Sequence, residues 1–115
     1  MRRFALSTLG LLGLAAGLTV AHPSASRADM IKLDLLLRSC TGKSPVTLAD
    51  CSGYIGGIAD ELEDQNAICM PDRVELKSVR ETVVAYVQSH HPPPETKAAS
   101  AVSDALRASY PCKKP

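Results

Sequence analysis

Residues 47–64 read TLADCSGYIGGIADELED, and this stretch decides the fold class. Leu48, Cys51, Ile55, Ile58 and Leu62 recur at steps of three and four, which gathers them on one face of a helix. Thr47 stands where its hydroxyl can cap the first turn, with Asp50 three residues on as an acidic version of the capping box. The far end carries Asp60, Glu61, Glu63 and Asp64. Gly53, Gly56 and Gly57 interrupt the pattern, each at about 1 kcal/mol relative to alanine inside a helix. Either a neighbouring helix or a partner approaches the backbone closely there, or the helix kinks near Gly56-Gly57.

The same periodicity extends outward in both directions, and no segment sustains the alternation of a strand. Upstream, a short helix is expected from about Asp29 to Ser39, with Ile31, Leu35 and Leu36-Leu37 as its stripe and Gly42 and Pro45 after it. Downstream, Pro71 closes a turn, and a third helix is expected from Val74 or Glu75 to His90 on the stripe Leu76, Val79, Val83 and Val87, with Tyr86 beside it. Pro92-Pro93-Pro94 stops that helix and holds the chain extended. A fourth begins near Pro94 or Glu95, where proline fits the first turn and a carboxylate suits the positive end of the dipole. Its face is small and apolar, Ala98, Ala101, Val102, Ala105 and Leu106, and Pro111 ends it. The pattern predicts an all-α protein, a small four-helix antiparallel bundle.

Antiparallel order constrains the four cysteines, Cys40, Cys51, Cys69 and Cys112. Helix one ends and helix two begins at one pole, so Cys40 meets Cys51. The second and fourth helices both end at the other pole, so Cys69 meets Cys112. Other pairings would join poles about 30 Å apart, against a limit of about 7 Å between bonded Cα atoms. An even cysteine count in a small exported domain reads as disulfides. With no C-x-x-C and with His90-His91 adjacent instead of at ligand spacing, no metal site or other cofactor is expected.

Export is read from the N-terminus. Arg2 and Arg3 precede an apolar run from Phe4 to Ala21, and Ser26-Arg27-Ala28 offers small residues to a signal peptidase. Cleavage is expected after Ala28, with Thr19-Val20-Ala21 as the second choice, so residues 1–28 are a signal peptide and 29–115 the domain. Left uncleaved, the segment would be the chain's one membrane attachment. The chain holds 13 Lys and Arg against 12 Asp and Glu; without Arg2, Arg3 and Arg27, ten basic residues face twelve acidic ones, a charge of −2. That balance, with one Phe, three Tyr and no Trp, argues against a nucleic-acid partner.

Three further groups of residues carry a resemblance: Tyr54-Ile55-Gly56-Gly57, Ile68-Cys69-Met70-Pro71 and Tyr110-Pro111-Cys112. Between them lie Val83-Val84 and Tyr86-Val87 leading to His91-Pro92, then Ala98, Val102 and Ala105-Leu106 leading to the final cysteine. In order and spacing these resemble the Rap/Tai family of immunity proteins over residues 48–112. Met70 stands where leucine is more usual, Tyr110 for phenylalanine and Glu75 for a threonine cap, which are changes of packing or capping. The resemblance implies a periplasmic or secreted, helical, disulfide-bonded protein that neutralises a cognate effector of a type VI secretion system by binding it. Family members can be dimeric, which the small-residue face of helix four would permit. Contact residues do not carry over, because immunity surfaces differ between members.

Catalysis is not expected. Ser52 near Asp50, or Ser89 beside His90-His91, could be drawn as nucleophile and base, but both read more simply as exposed helix residues, and the histidines as a helix end favoured by the dipole. Two features suit binding instead. Asp60, Glu61, Glu63 and Asp64 could steer a basic partner, and Tyr54 on the glycine face could anchor one, although a solvated helix end and packing within the bundle explain them as well. The other functional readings are a periplasmic stress or chaperone-like protein, and a domain of the same fold that binds something else.

Overall fold

The computed structural model describes residues 30–113. Four helices follow one another: α1 Leu33–Thr41, α2 Pro45–Asp64, α3 Leu76–His90 and α4 Ala98–Ser109. Each touches the other three around a single core. No strand occurs among the described residues, and no helix there is long and apolar enough to cross a membrane. The expected signal peptide lies outside the described residues.

The core is built mainly from the expected stripes. Cys51, Ile55 and Leu62 of α2, Val79, Val83 and Val87 of α3, and the whole small-residue face of α4 are buried, and Ile68 joins them from the α2–α3 link. Ala98, Ala101 and Ala105 are therefore consumed inside the bundle, so that face of α4 is not available to a second copy of the chain. Cys40 pairs with Cys51 and Cys69 with Cys112, at Cα separations of 5.1 and 4.8 Å, as the antiparallel order requires.

Helix α3 ends at His90 as expected, but α1 and α4 start later than expected, and tertiary hydrogen bonds explain why. Residues 30–32 do not begin α1. They run extended beside residues 96–98: Lys32 bridges Lys97, the Leu33 N–H donates to Thr96 O at 2.9 Å and the Ala98 N–H to Ile31 O at 2.8 Å. This pairing delays α1 by four residues and leaves Ile31 and Leu35 exposed, while Leu33 is buried beside Leu36, the stripe residue that does face the core. It also delays α4. Pro94 and Glu95 belong to a turn closed by Thr96 N–H on Pro93 O, and Glu95 stands outside the first helical turn.

Helix α2 starts two residues earlier than expected. Pro45 occupies the first helical position, where its missing N–H costs nothing. Thr47 is not the cap: its hydroxyl donates to Ser44 O at 3.1 Å, and no side chain caps any of the four helices. The helix runs unbroken past the glycines. It ends in a Schellman turn, with Asn66 left-handed at φ 55° and the Asn66 and Ala67 N–H groups donating to Glu63 O and Leu62 O. Helix α3 ends on His91, also left-handed at φ 47°.

Candidate partner-binding surface

At about 100° per residue, α2 distributes its candidate residues around its circumference. Tyr54 lies on the side toward α1, Asp60 and Glu63 lie toward the start of α3, and Glu61 and Asp64 line neither hollow. The acidic run is therefore split between faces.

Tyr54 is half-buried against the core. Its ring borders an apolar hollow of about 230 Å³ formed with Ile31, Leu35 and Ser39 of the α1 side and Asp50 of α2. Burial pushes its phenol above the usual value, an effect partly offset by the Ala99 backbone N–H at the start of α4. Two of the exposed large apolar side chains, Ile31 and Leu35, line this hollow, although periodicity places both on the core stripe. Glu61 accepts a hydrogen bond from Gln65 Nε2 at 2.6 Å, which ties it down along its own helix.

On the other side, Asp60 and Glu63 edge an open groove of about 370 Å³ between α2 and residues 70–79. Asp72 and Arg73 continue the edge, while Gly56, Met70 and Leu76 form its apolar floor and wall. Gly56 is the one glycine of the three whose bare backbone has a structural reason, because a Cβ there would come within 3.1 Å of Leu76 Cδ1. Gly53 and Gly57 face open space. Leu76, expected in the core stripe of α3, is instead 44% exposed on the groove. Asp72 carries no signal in the sequence because it lies in a link without periodicity, which the Cys69–Cys112 disulfide ties to the segment after α4.

The two nucleophile–base pairings dissolve in the structure. Ser52 is buried, contrary to expectation, and accepts a hydrogen bond at 2.9 Å from Arg80 of α3, while Asp50 faces the other hollow. His90 Nδ1 lies 2.8 Å from Tyr86 O, which can only accept, so Nδ1 carries the proton and cannot take one from Ser89. Ser89 itself donates to the same carbonyl, and the His90 ring stacks on Tyr86 at 3.8 Å. These are helix-end contacts. No group of three His, Cys, Asp or Glu side chains among the described residues is placed to hold a metal ion.

The fold thus defines a small all-α bundle closed by two disulfides. Residues 32–112 match the Rap1a immunity proteins, and the chain belongs to that family. No curated protein and no solved structure matches it significantly.

Proposed function

We propose that this protein is exported to the periplasm, loses residues 1–28 there, and binds and neutralises a secreted toxic effector delivered by a type VI secretion system. The family match across residues 32–112 carries this reading, and it spans all four helices and both disulfides. Two disulfides and no free cysteine among the described residues suit an oxidising compartment outside the cytoplasm. Cleavage after Ala28 would leave the bundle, which starts at Leu33, intact.

Neutralisation by occlusion of the effector's active site asks only for a rigid, complementary surface, so the protein needs no catalytic group of its own. Tyr54 on one side of α2, and Asp60 and Glu63 on the other, are the contact candidates; Glu61 and Asp64 belong to the same helix end but line neither hollow. Deleting the gene together with its neighbours should render cells sensitive to a sibling's toxin, and restoring this gene alone should protect them. Full resistance in the deletion strain, with no effector co-purifying with the protein, would refute the proposal. Mass spectrometry of the exported protein should find a chain beginning at Asp29; one beginning at His22 would move the cleavage site to Ala21.

A further inference from the structure

The groove between α2 and the α2–α3 link has a definite chemistry. The absence of a Cβ at Gly56 lets Leu76 pack directly on the α2 backbone, where a Cβ would come within 3.1 Å of its Cδ1. The groove's wall is held in place: Cys69 is bonded to Cys112, the Cys69 N–H donates to Tyr110 O at 2.9 Å, and Val74 N–H closes a turn on Pro71 O. A surface so constrained loses little conformational freedom when it is occupied. The floor is apolar, with Met70 and Leu76. The rim holds three carboxylates, Asp60, Glu63 and Asp72, against one guanidinium, Arg73.

The rim carboxylates are available. The ion pairs among the described residues, Arg38–Asp34 and Lys77–Glu81, engage none of them. Nor do they form a group placed to hold a metal ion, so what they suit is wider than a bare cation. A long basic side chain meets both demands. Its methylene stem covers apolar surface while its charged head stays among carboxylates at the wet edge. At about 370 Å³ the groove lies near the lower end of ligand-sized pockets, which suits one or two side chains and not a large ligand.

We infer that this groove is a docking site for an arginine or lysine side chain presented by the protein's partner, with its stem on Leu76 and Met70 and its charge among Asp60, Glu63 and Asp72. The inference deepens the proposed function and rests on the reading that the chain acts by binding another protein. Arginine is favoured over lysine, because its planar fork can engage two carboxylates at once.

The test uses the disulfide-bonded protein, isotopically labelled, titrated at low salt with Nα-acetyl-arginine methylamide and with its uncharged citrulline counterpart. The arginine probe should shift the backbone signals of Gly56, Asp60, Asp72 and Leu76 saturably. The citrulline probe should bind roughly tenfold more weakly, and so should arginine with the variant Asp60→Asn/Glu63→Gln/Asp72→Asn, as expected for three partly exposed charge pairs acting together. Glu61→Gln/Asp64→Asn should leave binding unchanged. Equal shifts with both probes, undiminished binding to the triple variant, or shifts centred on Glu61 and Asp64 would overturn the inference. So would saturable shifts of the same signals with magnesium ion alone. An unchanged urea midpoint in the triple variant shows that it has folded. The arginine titration requires no effector, so its failure is distinguishable from failure of the immunity reading, which the gene deletion tests.

Discussion

Gly53 and Gly57 sit one turn apart on the solvent side of α2, and a Cβ built on either would meet nothing within 4 Å. Inside a helix each glycine is about 1 kcal/mol less favourable than alanine, chiefly through the backbone freedom the unfolded chain retains. With no neighbour outside the helix to clash, and with two methyl groups that barely touch one turn apart, the two replacements should largely add. Gly53→Ala/Gly57→Ala should therefore stabilise the protein by about 1.5–2 kcal/mol. For a domain of this size that corresponds to a rise in Tm of roughly 6–16 °C. Gly56→Ala is the control. Its Cβ would lie 3.1 Å from Leu76 Cδ1, so the helical gain is offset by displacing that exposed side chain, and the net change should stay within about 0.5 kcal/mol of zero. The assay is urea unfolding with the disulfides intact, followed by the helical circular dichroism signal, with equal slopes in all variants. A double variant that is no more stable than the parent, or a Gly56→Ala gain as large as that of the other two, would refute the distinction drawn between the inner and outer glycines.

Three other outcomes are expected. Because burial raises the Tyr54 phenol above 10, its contribution to stability is complete below that pH and is lost as pH climbs through the folded value; Tyr54→Phe should remove this alkaline loss, seen as a flatter plot of unfolding free energy above pH 10. Mild reductant should open Cys69–Cys112 before Cys40–Cys51, since Cys69 is exposed and both partners of the other bridge are buried; alkylation with mass mapping would show the order, and simultaneous opening would contradict it. His91→Gly should stabilise by about 1 kcal/mol in thermal unfolding, because φ 47° is left-handed and favours glycine, whereas His91→Ala should not stabilise.

Elements and core were legible where periodicity runs long. Val79, Val83 and Val87, and the alanine face of α4, could be placed inside because a 3.6-residue pattern sustained over several turns has one buried side. The starts of α1 and α4 were not legible, because they depend on hydrogen bonds between segments more than sixty residues apart. Nothing local announces that Ile31 and Leu33 pair with Ala98 and Thr96, yet that pairing turns Ile31 and Leu35 out to solvent. The binding surface shows the same division. Asp60 and Glu63 could be named as members of an acidic run, but their separation from Glu61 requires the helix to be wound and packed. Asp72 reaches the same groove through a link that no repeat marks. Leu76 misled by fitting the α3 stripe: at the first residue of the helix it packs against Gly56 of α2 and is 44% exposed on the groove.

The two disulfides differ in what they hold. Cys40–Cys51 lies in the core and fastens α1 to α2, while Cys69–Cys112 lies at the surface and fastens the groove wall to the end of α4. With loops of 11 and 43 residues they contribute about 3 and 4 kcal/mol in the chain-entropy model. Whole domains are usually stable by about 5–15 kcal/mol. The core they supplement is short of large side chains: α4 contributes three alanines, one valine and one leucine, and α3 contributes valines. A reduced chain would therefore sit near the unfolding threshold, and oxidation would complete both the stability of the bundle and the shape of its groove. For a protein proposed to cross a membrane before it meets its target, this ordering has a functional sense. Under the proposed export, the chain would stay pliable while its thiols are free and become a rigid surface only once the disulfides form.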